Sequence, residues 1–175
     1  MLYDNAQLVS LYSQAYTLTK NNWYKTVVYE TLEFIRTELT RDDGSFYSAL
    51  DADSLNVSGE LEEGAYYVWT KAELKELLND DIELFQQYYN INDYGHWEHG
   101  NYVLIRAETT ERVAKANNIS VETLQRKITT WKSILSKERD KRPKPRLDDK
   151  SLVSWNAMML KAYVDAFNVF KNVEF

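Results

Sequence analysis

The chain repeats itself. When Asn5 is laid on Asn156, Ala6 meets Ala157, Leu8 meets Met159, Tyr12 meets Tyr163, Ala15 meets Ala166 and Tyr16 meets Phe167. Two helices of matching character at opposite ends of one chain point to αα-hairpins as the building unit. A single hairpin cannot bury its own apolar face, so such units stack side by side, as an open solenoid or a closed toroid. The repeat thus predicts a mainly α fold, an αα-hairpin array.

The remaining pattern fills in that array. Leu8, Leu11, Tyr12, Ala15, Leu18 and Thr19 share one helical face, with Asp4 or Asn5 expected as the cap. After Lys20-Asn21-Asn22, a second stripe of Tyr24, Val27, Val28, Leu32, Ile35 and Leu39 predicts an antiparallel partner. Ser45–Leu50 and Ala65–Trp69 are rich in Phe, Tyr, Val and Trp and predict a small β-hairpin. Thr70 with Glu73 forms a capping box that opens a helix to about Leu78, and a further helix is expected from Asp81 to Tyr89. Residues 90–107 look irregular, and Thr110–Asn117 reads as a short helix. Ser120 opens a longer one whose stripe is Val121, Leu124, Ile128, Trp131 and Leu135. Pro143 and Pro145 forbid its continuation, and the last helix runs from near Ser151 towards Lys171.

Composition narrows the classes of function. With 44% hydrophobic and 27% charged residues over 175 positions, and only five Gly and two Pro, the chain has the make-up of one folded globular domain. A net charge of −6 argues against a nucleic-acid binder. No apolar run reaches the roughly 20 residues needed to span a bilayer, and no basic-then-apolar leader opens the chain, so the expected location is cytoplasmic, away from membranes. The absence of cysteine removes disulfides, thiolate metal sites and a thiol nucleophile. Thirteen Tyr and five Trp supply rings with polar tips, suited to sugar clefts, to protein interfaces or to helix packing.

Three segments are more specific than any periodicity: Met1-Leu2-Tyr3-Asp4-Asn5-Ala6-Gln7-Leu8; Phe46-Tyr47-Ser48-Ala49-Leu50-Asp51-Ala52-Asp53-Ser54; and Arg142-Pro143-Lys144-Pro145-Arg146-Leu147-Asp148-Asp149-Lys150, leading to Trp155-Asn156-Ala157. Glu62-Glu63-Gly64, Tyr66 to Trp69 and Gly95 to Leu104 agree with them. Together they resemble the thioredoxin-domain-containing family that includes the spermatogenesis-associated thioredoxin-like protein. In that family a thioredoxin-like domain precedes a helical domain similar to six-hairpin glycosidases and sugar epimerases. The resemblance implies that residues 1–175 are one partial αα-toroid domain, a fragment of an (α/α)6 ring with a small β-hairpin insertion, cut from a longer protein. It further implies a carbohydrate or small-molecule ligand, by analogy of fold. A thioredoxin-like domain is the implied partner in the full-length protein. Leu55–Gly59 reads as an insertion relative to the family pattern.

In such an array alternate helices run in opposite directions, so loops that feed parallel helices share a rim. Asp4 and Asn5, then Asp51 and Asp53, then Asp148, Asp149, Lys150 and Trp155 all fall on that rim, if the helices at Thr70 and Asp81 count as one step. Glycoside hydrolysis needs two carboxyl groups, about 5 Å apart for retention or about 6.5–9.5 Å for inversion, one of them held protonated. Asp51, Asp53, Asp148 and Asp149 are the candidate catalytic groups; Asp4, Asn5, Glu62, Glu63, Trp69, Trp97, Glu98, Lys150, Trp155 and Asn156 are candidate substrate-binding residues. The plainer alternative for each carboxylate is capping, turn formation or solvation. The rival function is a non-catalytic helical scaffold whose charged motifs serve as caps and staples. Asp51-Ala52-Asp53 with Glu62 lacks the glycine and the ligand spacing of a calcium loop. His96 and His99 lack a third ligand for zinc, so neither metal nor cofactor is expected. Lys150, beside Asp149, is expected to pair with carboxylates and hold them ionised. Lys137–Arg146, with six basic and two acidic residues, reads as a solvated helix end. An incomplete ring leaves apolar helix faces bare, so the fragment is expected to be inactive alone and to self-associate.

Overall fold

The computed structural model describes all 175 residues and is mainly helical, with helix over 56% of the chain. In chain order the elements are α1 (Leu2–Thr19), α2 (Asn22–Phe34), β1 (Ala49–Leu50), β2 (Asp53–Leu55), β3 (Leu61–Glu63), β4 (Trp69–Thr70) and α3 (Lys71–Leu78). There follow α4 (Ile82–Tyr88), β5 (Asn101–Tyr102), α5 (Thr110–Ala116), α6 (Val121–Arg139), β6 (Leu147–Asp148) and α7 (Val153–Phe170). No helix is long and apolar enough to cross a membrane. The chain divides into two compact units: Met1–Asp51 with Arg146–Phe175, and Ala52–Pro145.

The first unit is built on α1, α2 and α7. Leu2, Ala6 and Val9 of α1, Val28 and Leu32 of α2, and Met159, Ala162 and Ala166 of α7 share one core. A π-helical turn, Ile35–Leu39, continues α2 and carries Ile35 and Leu39 into the same core. The Thr40 hydroxyl then closes the helix end by donating to the Ile35 carbonyl. Tyr3 packs on Trp155 at 4.7 Å and Tyr16 on Phe170 at 5.0 Å, start against start and end against end, so α1 and α7 run parallel. Their ends are built alike. Both span 18 residues and stop at a left-handed lysine, Lys20 and Lys171, whose N–H donates four residues back, and an asparagine side chain follows each cap, accepting from the chain two residues on. Asn5 and Asn156 each donate to the carbonyl four residues earlier. The sequence repeat is therefore a structural one.

Periodicity misplaces the buried face of α1. The expected stripe of Leu8, Leu11 and Leu18 is exposed, whereas Leu2, Ala6, Val9 and Ser13 are buried. The helix is apolar on two opposite sides, so spacing alone could not say which side meets the core. The cap also differs, because α1 starts at Leu2 and leaves Asp4 and Asn5 within its first turn.

The second unit holds Trp69, Leu74, Phe85, Tyr88, Leu124, Trp131 and Leu135 in its core. The Thr70–Glu73 capping box forms as expected, each residue accepting from the other's backbone N–H. The expected hairpin between Ser45–Leu50 and Ala65–Trp69 does not form. Instead β1 pairs with β6 and β4 with β5, while the true hairpin, β2–β3, lies in the segment between. Asn56 makes that hairpin turn by accepting at Oδ1 from the N–H groups of Ser58 and Glu60. Gly59 supplies the positive φ.

Candidate functional site

In the first unit the β1–β6 ribbon lies at the end where α1 and α7 begin. The Leu2 N–H donates to the Ser48 carbonyl, and the Ser48 N–H and hydroxyl donate to the Asp148 carbonyl. The antiparallel register pairs Ala49 with Asp148 and Leu50 with Leu147, and the Asp51 N–H extends it by donating to the Arg146 carbonyl at 2.8 Å. Side chains alternate along a strand, so Asp51 and Asp148 sit on one face as diagonal neighbours, about 7–8 Å apart by ordinary strand geometry. Each has a cation: Arg146 lies 3.2 Å from Asp51 and Lys150 lies 3.1 Å from Asp148. The hydrogen bond from Lys150 holds the Asp148 carboxyl below the usual aspartate range, against the opposing effect of burial. Asp148 is thus an ionised acceptor at neutral pH, the opposite of a general acid.

The neighbouring residues have structural tasks. Asn156 Oδ1 accepts from the Phe46 N–H at 2.8 Å and its Nδ2 donates to the Phe46 carbonyl at 3.1 Å, a two-point clamp on the backbone of one residue. Trp155 is half-buried against Tyr3. The Asp149 carbonyl accepts from the Arg41 guanidinium at 3.1 Å, and Asp4 sits in the first turn of α1. An open depression of about 470 Å³, lined by Phe46, Val153, Asn156, Ala157 and Leu160 among others, is mostly apolar.

The other expected site residues belong to the second unit. Asp53 stands directly opposite Glu63, and Ser54 opposite Glu62. Ser54 is buried and its hydroxyl accepts from the Tyr66 N–H, while Glu62 accepts from the Asn56 side chain. Trp69, expected to help bind a substrate, is only 3% exposed, and the Arg142 guanidinium lies 4.0 Å over its ring, so the indole serves the core. The Trp97 ring stays exposed, and its backbone N–H donates to the Asn101 carbonyl. The turn Glu98-His99-Gly100-Asn101 that follows has two consecutive positive φ values, the form that matches strand twist. His96 stands edge-on to Tyr102 beneath it, so both histidines are parts of a hairpin.

No family model matches the chain. Among curated proteins, spermatogenesis-associated protein 20 of Homo sapiens is 33% identical over 183 residues, which cover 93% of this chain and 23% of that protein. The Mus musculus protein of the same name is 32% identical over the same length. They support the family read from the motifs. An uncharacterized protein of Caenorhabditis elegans is 33% identical over 196 residues, covering the whole chain and 27% of the relative. The chain spans about a quarter of the length of the curated relatives it matches.

Two residues that sequence reasoning passed over organise the second unit. Arg142, within the stretch read as a solvated basic end, donates to the carbonyls of Ala65, Tyr66 and Val68 and to Glu73. It fastens the loop before β4 to the capping box of α3. Its signals were its place at the head of the Arg142-Pro143-Lys144-Pro145-Arg146 segment and its position just beyond α6, where the chain must turn. Asp81 accepts from Lys127 and from the indole N–H of the buried Trp131, joining the turn before α4 to α6.

Proposed function

We propose that this chain is a non-catalytic helical scaffold segment of a larger protein in the family of spermatogenesis-associated protein 20. The observation that carries the reading is the neutralisation of the acidic ribbon: Asp51 is matched by Arg146 and Asp148 by Lys150, with the Asp148 carboxyl held ionised. Acid catalysis needs one carboxyl kept protonated by a dry or like-charged setting. This ribbon supplies cations and solvent instead. A mixed-charge edge of that kind fixes register and excludes wrong partners at an interface. The partner implied by the family resemblance is a thioredoxin-like domain.

A second reading has one observation in its favour. Asp51 and Asp148 are near neighbours across one ribbon, and inverting glycosidases act through a pair of carboxyl groups that face one another across the sugar. Calorimetric titration of the full-length parent protein with a panel of mono- and disaccharides separates the two. The scaffold reading expects no saturable heat. Saturable binding that disappears in both Asp51→Asn and Asp148→Asn would transfer the ribbon to carbohydrate recognition.

A further inference from the structure

Residues 171–175 repeat the chemistry that opens α2. The Lys20 N–H donates to the Tyr16 carbonyl and the Lys171 N–H to the Phe167 carbonyl, both at 2.8 Å. Asn21 Oδ1 then accepts from the Trp23 N–H at 2.9 Å, and Asn172 Oδ1 from the Glu174 N–H at 3.2 Å. The Asn21 carbonyl accepts from the Tyr24 N–H at 3.1 Å, and the Asn172 carbonyl from the Phe175 N–H at 3.2 Å. In the first set these bonds are the cap and first turn of a helix, with Asn21 as its N-cap. The second set is the same cap on the same turn, with Glu174 placed where a carboxylate favours a helix start. The surface of α7 carries the other half of the repeat. Ala6, Val9 and Ser13 of α1 are at most 1% exposed, because α2 and α7 both share a core with that helix. Their mates on α7, Ala157, Leu160 and Val164, face solvent, Leu160 at 65%.

We propose that in the parent protein the polypeptide directly after Phe175 is a helix antiparallel to α7, the first arm of another αα-hairpin, and that this hairpin covers Ala157, Leu160 and Val164 within the same molecule. The cap selects this occupant over a second copy. Asn172 commits its side chain to a turn that only the residues after it can complete. A second molecule must be recruited from dilute solution, whereas a helix capped two residues past α7 is held beside it at an effective concentration on the order of millimolar. There is polypeptide to supply it, since this chain covers only 23% and 27% of two of its relatives. The repeat also sets the register. Equivalents of the buried Val28, Leu32 and Ile35 fall at the fourth, eighth and eleventh residues after Phe175, which are expected to be apolar. This goes beyond the scaffold reading and would hold equally if the charged ribbon bound a sugar, because α7 and its cap alone carry it.

The test is carbene footprinting of the wild-type full-length parent protein with a photolysed diazirine. Leu160 and Val164 are expected to take up label several-fold less than in the urea-unfolded protein, and equally so at every protein concentration. Replacing Leu160 with the photo-crosslinker benzoylphenylalanine then identifies what lies over it. Crosslinks should map within the hairpin that follows Phe175 and should join residues of one molecule. The footprint uses the wild-type sequence, so it decides the matter even where the crosslinker disturbs the contact. Free labelling of Leu160 and Val164 overturns the proposal. So does protection that grows with concentration, or a crosslink that joins two molecules or reaches a distant part of the parent.

Discussion

A methyl group added at Gly95 would lie 2.2 Å from the Asn90 carbonyl oxygen and 3.2 Å from that of Val103. Neither oxygen belongs to a side chain that can swing away. Gly95→Ala is therefore expected to destabilise the chain by about 3 kcal/mol, whereas Gly44→Ala, which meets no atom within 4 Å, costs only its positive φ, about 1 kcal/mol. Urea midpoints for the two variants check the order. Arg142 gives a second case. Replacing it with methionine keeps bulk over Trp69 but deserts three carbonyls, for a loss of about 2–3 kcal/mol. Arg142→Lys should recover little, because one ammonium cannot copy a planar fork that reaches several acceptors. Equal stability of the lysine variant and wild type would show that charge alone is at work. Both residues open segments that carry the family resemblance, yet their types alone did not show what they do. Gly95 was one of five glycines, and Arg142 one of six basic residues in a stretch whose composition reads as solvent-facing.

The helices were legible because each carries its stripe and its punctuation within itself. Val28, Leu32, Ile35 and Leu39 are buried as their spacing predicts, and Thr70 with Glu73 opens α3 by a reciprocal cap. The strands were not, because two residues cannot show an alternation and their partners lie far along the chain: Leu50 pairs with Leu147 and Trp69 with Tyr102. The local hairpin β2–β3 did have a signal in Asn56 and Gly59, but the apolar runs on either side drew attention away from it. Of the candidate site, Asp4, Asn5, Asp51, Asp148, Lys150, Trp155 and Asn156 come together at one end of the first unit. The double hydrogen bond of Asn156 to the Phe46 backbone has no trace in residue type. Between α4 and α6 the tie is Asp81, whose carboxyl is drawn below the usual range first by Lys127 and then by the Trp131 indole, against some desolvation. A carboxyl whose value is lower when folded than unfolded adds stability in full above its unfolded value of about 3.9, and that stability fades as pH falls through the folded value. Melting temperatures of wild type and Asp81→Asn should therefore differ at pH 7 and converge on acidification below about pH 4. A gap that persists unchanged to pH 2 would mean that the asparagine disturbs packing, not charge.

For the molecule as a whole, the second unit is an insertion within the first. Residues 52–145 leave and return through the β1–β6 ribbon, where Asp51 and Arg146 are joined by a backbone hydrogen bond and an ion pair. Ends held that close let an inserted unit be removed without opening its host. Residues 52–145 expressed alone are expected to melt cooperatively around their own Phe85–Trp131 core. Residues 1–51 and 146–175, joined by a short glycine linker, should retain the helical signal of α1, α2 and α7. Loss of cooperative melting in both pieces would mean that neither core is sufficient alone.

That same doorway imposes an order on synthesis. α1 and α2 leave the ribosome before the 94 residues of the insertion are made, and α7 follows them by roughly 5–20 s at ordinary elongation rates of about 5–20 residues per second. Throughout that delay Leu2, Ala6 and Val9 await a helix not yet translated, and a finished α7 from a neighbouring chain on the same message has the right shape to take its place. Exchange of α7 between nascent chains is the misassembly to which this topology is most exposed. Slowing translation within the insertion should increase it.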